Sequence, residues 1–128
     1  MTYKILIADD DQDNRTIAKE ILEASGYCVV EAKDGLEAIE LISKEHPDVL
    51  LLDLSMPKLN GWEVTKRLRN EKATSTMPII AFTAHVIAGD ELKAKGAGCD
   101  DYLSKPCMPV EVLNKVQKWL LNSTLKMK

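Results

Sequence analysis

Short apolar runs alternate with helical stripes along this chain, and no other feature constrains its fold as strongly. Residues 48–52 (DVLLL) form the most uniformly apolar run, and residues 4–8 (KILIA) and 77–82 (MPIIAF) have the same character. Runs that are apolar throughout, rather than at every second residue, indicate strands that are covered on both faces. Such strands are typical of a parallel sheet with helices on each side.

Between these runs, apolar residues recur at spacings of three and four, as on one face of a helix. Helices are predicted over residues 13–25, 35–46, 62–68, 86–95 and 110–121. The fourth of these segments has few apolar residues and several glycines. Two further short runs, at residues 27–30 and 101–104, complete a set of five strands. The sequence therefore predicts an α/β fold, a three-layer, doubly wound domain with a five-stranded parallel sheet.

Length and charge limit the classes of protein that remain. A chain of 128 residues has room for one domain, predicted over residues 1–123 with a short tail at 124–128. A formal charge of −3 argues against nucleic acid as a partner, and no apolar run is long enough for membrane insertion. Three cysteines at unrelated spacings argue against a disulfide framework, so a cytoplasmic location is expected.

Polar residues follow four of the five predicted strands at the point where each strand ends. These residues are Asp9–Asp11, Asp53, Thr83 and the pair Lys105 and Pro106. The carboxyl ends of parallel strands share one edge of a sheet, so these side chains are expected to converge there. Taken singly, each has a plain structural interpretation as a helix cap, a turn residue or a strand end.

The combination of these residues is harder to explain by local structure. Three carboxylates at neighbouring strand ends repel one another unless a cation lies between them. Oxygen ligands of this kind favour Mg²⁺, which is usually bound by one or two carboxylates together with a phosphate. A neighbouring hydroxyl and ammonium group can hold phosphoryl oxygens. The sequence therefore predicts a site for phosphoryl transfer to a carboxylate.

Four motifs in this order resemble those of a response-regulator receiver domain of bacterial two-component signalling, of the chemotaxis-regulator type. They are residues 5–10 (ILIADD), 53–61 (DLSMPKLNG), 82–84 (FTA) and 96–106 (GAGCDDYLSKP). The resemblance extends from residue 3 to about residue 121. It implies the flavodoxin-like (βα)5 version of the fold.

The resemblance also implies a role for each matching residue in the phosphoryl site. Asp53 would be the phospho-acceptor, and Asp10 and Asp53 would bind Mg²⁺ directly. Asp9 would bind the ion through water, and the backbone carbonyl of Ser55 would complete the protein ligands. Lys105 and Thr83 would bind the phosphoryl oxygens.

Further positions are implied to shape or switch the site. The peptide bond before Pro106 would be cis, as receiver domains keep it. Tyr102 occupies the place of the switch aromatic, although a core tyrosine in a short strand explains it equally well. Ser55 and His85 occupy positions that tune the lifetime of the phosphoryl group, and a solvated histidine is the alternative interpretation of His85.

The leading hypothesis is a single-domain switch that receives a phosphoryl group from a sensor histidine kinase or a histidine phosphotransfer protein. Since no output domain is expected after residue 121, its output would be contact with a downstream protein or transfer of the phosphoryl group. A degenerate receiver that binds partners without phosphorylation is the main alternative. An aspartyl-phosphate hydrolase would need a second acid two residues after the nucleophile, and this chain has Ser55 at that position. A flavin-binding module would need a phosphate-binding loop after the first strand, where this chain has three acids.

Overall fold

A five-stranded, wholly parallel sheet with the strand order β2-β1-β3-β4-β5 forms the centre of the molecule. The computed structural model describes residues 2–54, 56, 58–83, 98–104 and 109–126. The strands are β1 (Lys4–Ala8), β2 (Cys28–Ala32), β3 (Val49–Asp53), β4 (Ile79–Thr83) and β5 (Asp101–Ser104). The helices within these ranges are α1 (Gln12–Ala24), α2 (Gly35–Glu45), α3 (Gly61–Asn70), a 3-10 turn (Lys72–Thr74) and α4 (Pro109–Lys126).

The doubly wound α/β fold predicted from the sequence is confirmed, and most element ends agree to within two residues. The C-terminal helix α4 differs most, because its backbone continues to Lys126 rather than ending near residue 121. It therefore extends past residue 123, into the segment 124–128 that the sequence predicts as a short tail. The helix predicted over residues 86–95 lies outside the described residues.

Two hydrophobic clusters, one on each face of the sheet, make up the core. Leu6, Leu50 and Leu52 point towards α2 and α3, whereas Ile5, Val49 and Leu51 point towards α1 and α4. Successive strand residues project to opposite faces, so a strand covered on both sides must be apolar at every position. The uniform apolar run of residues 49–52 (VLLL) in β3, the central strand of the sheet, follows from this requirement.

Three helices begin at the same edge of the sheet, each with a side chain that caps its first turn. Asp11 Oδ1 accepts the amide of Asp13 at 2.9 Å, and Asp34 Oδ1 accepts the amide of Glu37 at 2.8 Å. Asn60 caps α3 in the same way. A side-chain cap contributes about 1 kcal/mol to the stability of a helix. The caps thus set where these helices start, and the loops before them meet at the carboxyl edge of the strands.

None of the helices in the described part of the chain is both long and apolar enough to cross a membrane.

Candidate functional site

Three carboxylates meet at the carboxyl edge of the sheet, beside the neighbouring strands β1 and β3. One oxygen from each of Asp9, Asp10 and Asp53 lies within 4.8 Å of the other two. Asp9 is 1% exposed and Asp53 is 5% exposed, whereas Asp10 is open to solvent. The chain order reverses between β1 and β3, and such a reversal opens a crevice where ligands bind in sheets of this type.

Three hydrogen bonds hold Asp9 in place. The amide of Asp9 donates to the carbonyl of Ala32 at the end of β2, at 3.0 Å. The Asp9 carboxylate accepts the amide of Asp11 at 2.9 Å. The carbonyl of Asp9 accepts Nη1 of Arg15, on α1, at 2.6 Å. The turn that presents Asp9 and Asp10 is therefore joined to β2 and to α1.

The segment after Asp53 folds back over the end of β3 because two glycines permit close contacts. The amide of Gly61 donates to the carbonyl of Leu54 at 3.2 Å, and a Cβ atom at Gly61 would lie 2.7 Å from the carbonyl oxygen of Asp53. A Cβ atom at Gly35 would overlap with the carbonyl oxygen of Leu59. The first turn of α2 and the loop before α3 thus support each other beside the acidic cluster.

An ion pair also joins the loop before α3 to the start of α2. Nζ of Lys58 lies 3.5 Å from Asp34 Oδ2, and Lys58 has a left-handed backbone with φ at 68°. The hydrogen bond from the Glu37 amide, helped by the Lys58 charge, lowers the pKa of Asp34 against the opposing effect of burial. The carboxylate that caps α2 is therefore stabilised in its charged form.

The chemistry of the acidic cluster fits a small divalent cation. All three side chains offer charged oxygen ligands, and no nitrogen or sulfur ligand belongs to the group. Magnesium prefers oxygen ligands and retains several waters, which the exposure of Asp10 on one side would accommodate. Without a cation, three carboxylates this close would repel one another.

Tyr102 is half-buried in β5, where its side chain packs against the core cluster beneath α2 and α3. Its neighbour Asp101 accepts hydrogen bonds from Lys115 and Trp119 on α4, both at 2.8 Å. Burial alone raises the pKa of Asp101, but these bonds and the Tyr102 amide outweigh it and lower the pKa. The packing agrees with the core interpretation of Tyr102, and a switching role stays a prediction.

The strand register places the ends of the other strands at the same edge. Asp53 pairs with Phe82, and Thr83 pairs with Ser104. The backbone of Thr83 thus ends β4 next to Asp53, as the sequence predicts, while its side chain is outside the described atoms. Ser55, His85, Lys105 and Pro106 also lie outside the described residues, so their roles stay predictions.

Three features of the site were missed from the sequence: Arg15, the Asp101 network and the Gly35 contact. Arg15 comes six residues after Asp9 and belongs to no motif that signals chemistry. Only the packing of α1 against β1 and β2 brings its guanidinium to the Asp9 carbonyl.

Comparison with known proteins identifies the class to which this fold and site belong. Residues 5–117 match the family model of the response regulator receiver domain, and the chain belongs to this family. The protein is thus a response regulator receiver domain of two-component signalling, as the motifs predict.

Individual relatives agree with this assignment over almost their full length. The polar-differentiation response regulator DivK of Brucella ovis is 35% identical over 120 residues, which cover 94% of this chain and 98% of DivK. The crystal structure of a response regulator from Chloroflexus aurantiacus superposes with a TM-score of 0.90 at 34% identity, covering 94% of this chain and 99% of that one. The receiver domain of a sensor histidine kinase from Pseudomonas aeruginosa has a TM-score of 0.86 at 32% identity, covering 94% and 98%. That structure has a magnesium ion coordinated in its active site cleft.

Proposed function

We propose that this chain is a Mg²⁺-dependent phosphorylation switch in which Asp53 receives a phosphoryl group. The observation that carries the proposal is the meeting of Asp9, Asp10 and Asp53 within 4.8 Å at the carboxyl edge of the sheet. Asp53 ends the central strand, whose other four residues are fully packed in the core, so its carboxylate is presented on a rigid support. A positioned carboxylate of this kind is suited to act as a nucleophile.

Mg²⁺ would be held by Asp10 and Asp53 directly, by Asp9 through water and by the backbone carbonyl of Ser55. When bound, the ion supplies positive charge that offsets the negative charge of the carboxylates and of the incoming phosphoryl oxygens. Lys105 and Thr83 would contact those oxygens from the ends of the neighbouring strands. The magnesium ion in the Pseudomonas aeruginosa receiver domain supports this part of the proposal.

In the transfer step, a carboxylate oxygen of Asp53 attacks the phosphorus atom of a phosphohistidine. The new P–O bond forms as the P–N bond breaks, and the electron pair of that bond stays on the imidazole, which takes one proton from water. The product is an acyl phosphate on Asp53. Attack of water on the same phosphorus later releases inorganic phosphate and restores the carboxylate.

The donor would be a sensor histidine kinase or a histidine phosphotransfer protein, and the output would be a changed contact with a downstream protein. Family membership supports this choice of partners, since the relatives include a response regulator and the receiver domain of a histidine kinase. Tyr102 would respond to phosphorylation together with Thr83. Ser55 and His85 would set how long the phosphoryl group persists.

The test is the intact mass of the protein after incubation with Mg²⁺ and acetyl phosphate, which yields acetate as the leaving group. We expect one phosphoryl adduct that is absent from Asp53→Asn and absent when EDTA removes the metal. Asp13→Asn is the matched control, because Asp13 is an exposed acid in the first turn of α1 and lies outside the cluster. It should be phosphorylated like the wild type.

The absence of an adduct on the wild-type protein would contradict the proposal. It would favour a degenerate receiver that binds its partners without phosphorylation. An adduct that survives in Asp53→Asn would place the acceptor elsewhere.

A further inference from the structure

We propose that Arg15 is the positioning residue of the acidic cluster. Its guanidinium holds the peptide group between Asp9 and Asp10 in the orientation that cation binding requires. This inference rests on the proposed function, because it concerns binding of Mg²⁺ by the same carboxylates.

The contacts of Arg15 join three elements around the cluster. Nη1 donates to the carbonyl oxygen of Asp9 at 2.6 Å, and Nε lies 3.3 Å from Glu31 Oε1 on β2. The Arg15 side chain is 14% exposed and Asp9 is 1% exposed, so the bond between them is largely shielded from water. A short hydrogen bond from a charged donor is about twice as strong as a neutral one. The bond to Asp9 is therefore a firm constraint on this turn.

The bond from Arg15 matters for function because its acceptor is the backbone carbonyl of Asp9. The carbonyl of Asp9 belongs to the peptide plane that leads into Asp10, so its direction determines where the Asp10 backbone begins. The amide of Asp9 is already held by Ala32, and its carboxylate is held by the amide of Asp11. Arg15 adds a constraint on the Asp10 side of Asp9. Loss of Arg15 would allow the plane to rotate and the ligand oxygens to separate.

A positioning role and a purely electrostatic role of Arg15 predict opposite changes in cation affinity when the residue is removed. A guanidinium near three carboxylates repels an incoming divalent cation, so loss of its charge alone would tighten cation binding. Loss of a positioning contact would weaken it instead, and residues that orient metal ligands typically change metal affinity by about 10- to 100-fold. The direction of the change therefore separates the two roles.

Lys19 provides the matched control. It lies one turn further along α1, and its Nζ is 3.5 Å from Glu31 Oε2, the other oxygen of the carboxylate that Arg15 approaches. Within the described part of the chain, Nζ of Lys19 contacts Glu31 and not Asp9. Lys19→Ala thus removes a positive charge from the same neighbourhood and leaves the Arg15 contact with Asp9 in place.

The experiment is a titration of the full chain with Mn²⁺, in which free Mn²⁺ is counted by electron paramagnetic resonance and Mg²⁺ is then used as a competitor. We expect Arg15→Ala to bind Mn²⁺ about tenfold more weakly than the wild type. Lys19→Ala should bind within about twofold of the wild type, or more tightly. Arg15→Lys keeps the charge but loses the planar fork that reaches two acceptors, so we expect weakening by about threefold.

Unchanged or tighter binding by Arg15→Ala would overturn the inference and leave the proposed function intact. If Arg15→Ala does not fold, Arg15→Lys decides in the same way, with wild-type affinity counting against the inference. A wild-type protein that binds no Mn²⁺ would contradict both the inference and the metal site of the proposed function.

Discussion

Trp119 donates a hydrogen bond of 2.8 Å from its indole Nε1 to Asp101 Oδ2, which joins the C-terminal helix to β5, a strand at one edge of the sheet. Nζ of Lys115 reaches the other oxygen of this carboxylate, also at 2.8 Å. Asp101 is 8% exposed, so the bonds are made away from bulk water. The strand that carries Tyr102 is thus tied to α4 by a charged, hydrogen-bonded cluster.

Asp101→Asn should lower the free energy of unfolding by about 1–3 kcal/mol at neutral pH, because the amide cannot satisfy both donors as the carboxylate does. Urea unfolding followed by circular dichroism measures the change. Glu40→Gln is the control, since Glu40 forms an exposed pair with Lys44 one turn away on α2. Such a pair contributes about 0.3–0.5 kcal/mol. Equal effects of the two variants would contradict a special role for Asp101.

The contribution of Asp101 should also depend on pH. Its hydrogen bonds lower its pKa in the folded state in spite of burial, so the stability it provides is fully present above the unfolded pKa of about 3.9. That stability is lost as the pH falls through the folded pKa. The difference in unfolding free energy between the wild type and Asp101→Asn should therefore be constant from about pH 7 to pH 5 and shrink below about pH 4. A difference in unfolding free energy that grows as the pH falls would contradict a lowered pKa for Asp101.

Arg69→Ala should destabilise the protein by about 3 kcal/mol, because it removes one partner of a partly buried ion pair together with hydrogen bonds to backbone carbonyls. Nη2 of Arg69 lies 2.7 Å from Asp100 Oδ2, and its other nitrogens donate to backbone carbonyls. These carbonyls belong to Gly98, Thr74, Ser75 and Met77. Chemical unfolding checks the value, and Arg67→Ala is the control because Arg67 is exposed on the same helix. It should change stability by less than about 0.5 kcal/mol.

Gly35→Ala should destabilise the fold and also slow phosphorylation of Asp53. A Cβ atom at Gly35 would overlap with the Leu59 carbonyl, so the loop after β3 has to shift, and overpacking of this kind costs about 1–3 kcal/mol. Gly26→Ala is the control, since Gly26 has φ of 94° and open space around it. It should cost about 1 kcal/mol through its backbone alone and leave the phosphorylation rate unchanged. Thermal unfolding and the rate of adduct formation measure both variants.

Asp10→Asn should change stability in opposite directions with and without Mg²⁺. In metal-free buffer, removal of one of three mutually repelling charges should raise the free energy of unfolding by about 1 kcal/mol. With Mg²⁺ at about 100 times its dissociation constant, the wild type should gain about 2.7 kcal/mol, and the variant should gain much less. Thermal unfolding in EDTA and in Mg²⁺ tests this, with Asp13→Asn expected to behave as the wild type. The same gain in both proteins would show that the ion binds elsewhere.

The main acidic residues of the candidate site were predictable because the fold itself brings them together. Asp9 and Asp10 follow β1, Asp53 is the last residue of β3, and strands in a parallel sheet end at one edge. Arg15 and Asp101 were not predictable in this way. Their partners are a backbone carbonyl and an indole nitrogen on other elements, and such pairings leave no pattern along the chain. The ends of helices are also difficult to predict from the sequence, since α4 continues to Lys126 beyond its apolar stripe.

The sequence by itself determined the order and type of the elements, the parallel sheet and the edge at which the acids lie. These properties follow from local periodicity and from the demand that apolar strands be covered on both faces. Only the tertiary structure decided how close the three carboxylates come, that the Arg15 side chain holds the Asp9 turn, and which side chains join β5 to α4. Those contacts depend on the relative placement of α1, α2 and α4 on the sheet, and this placement is set by packing over the whole core.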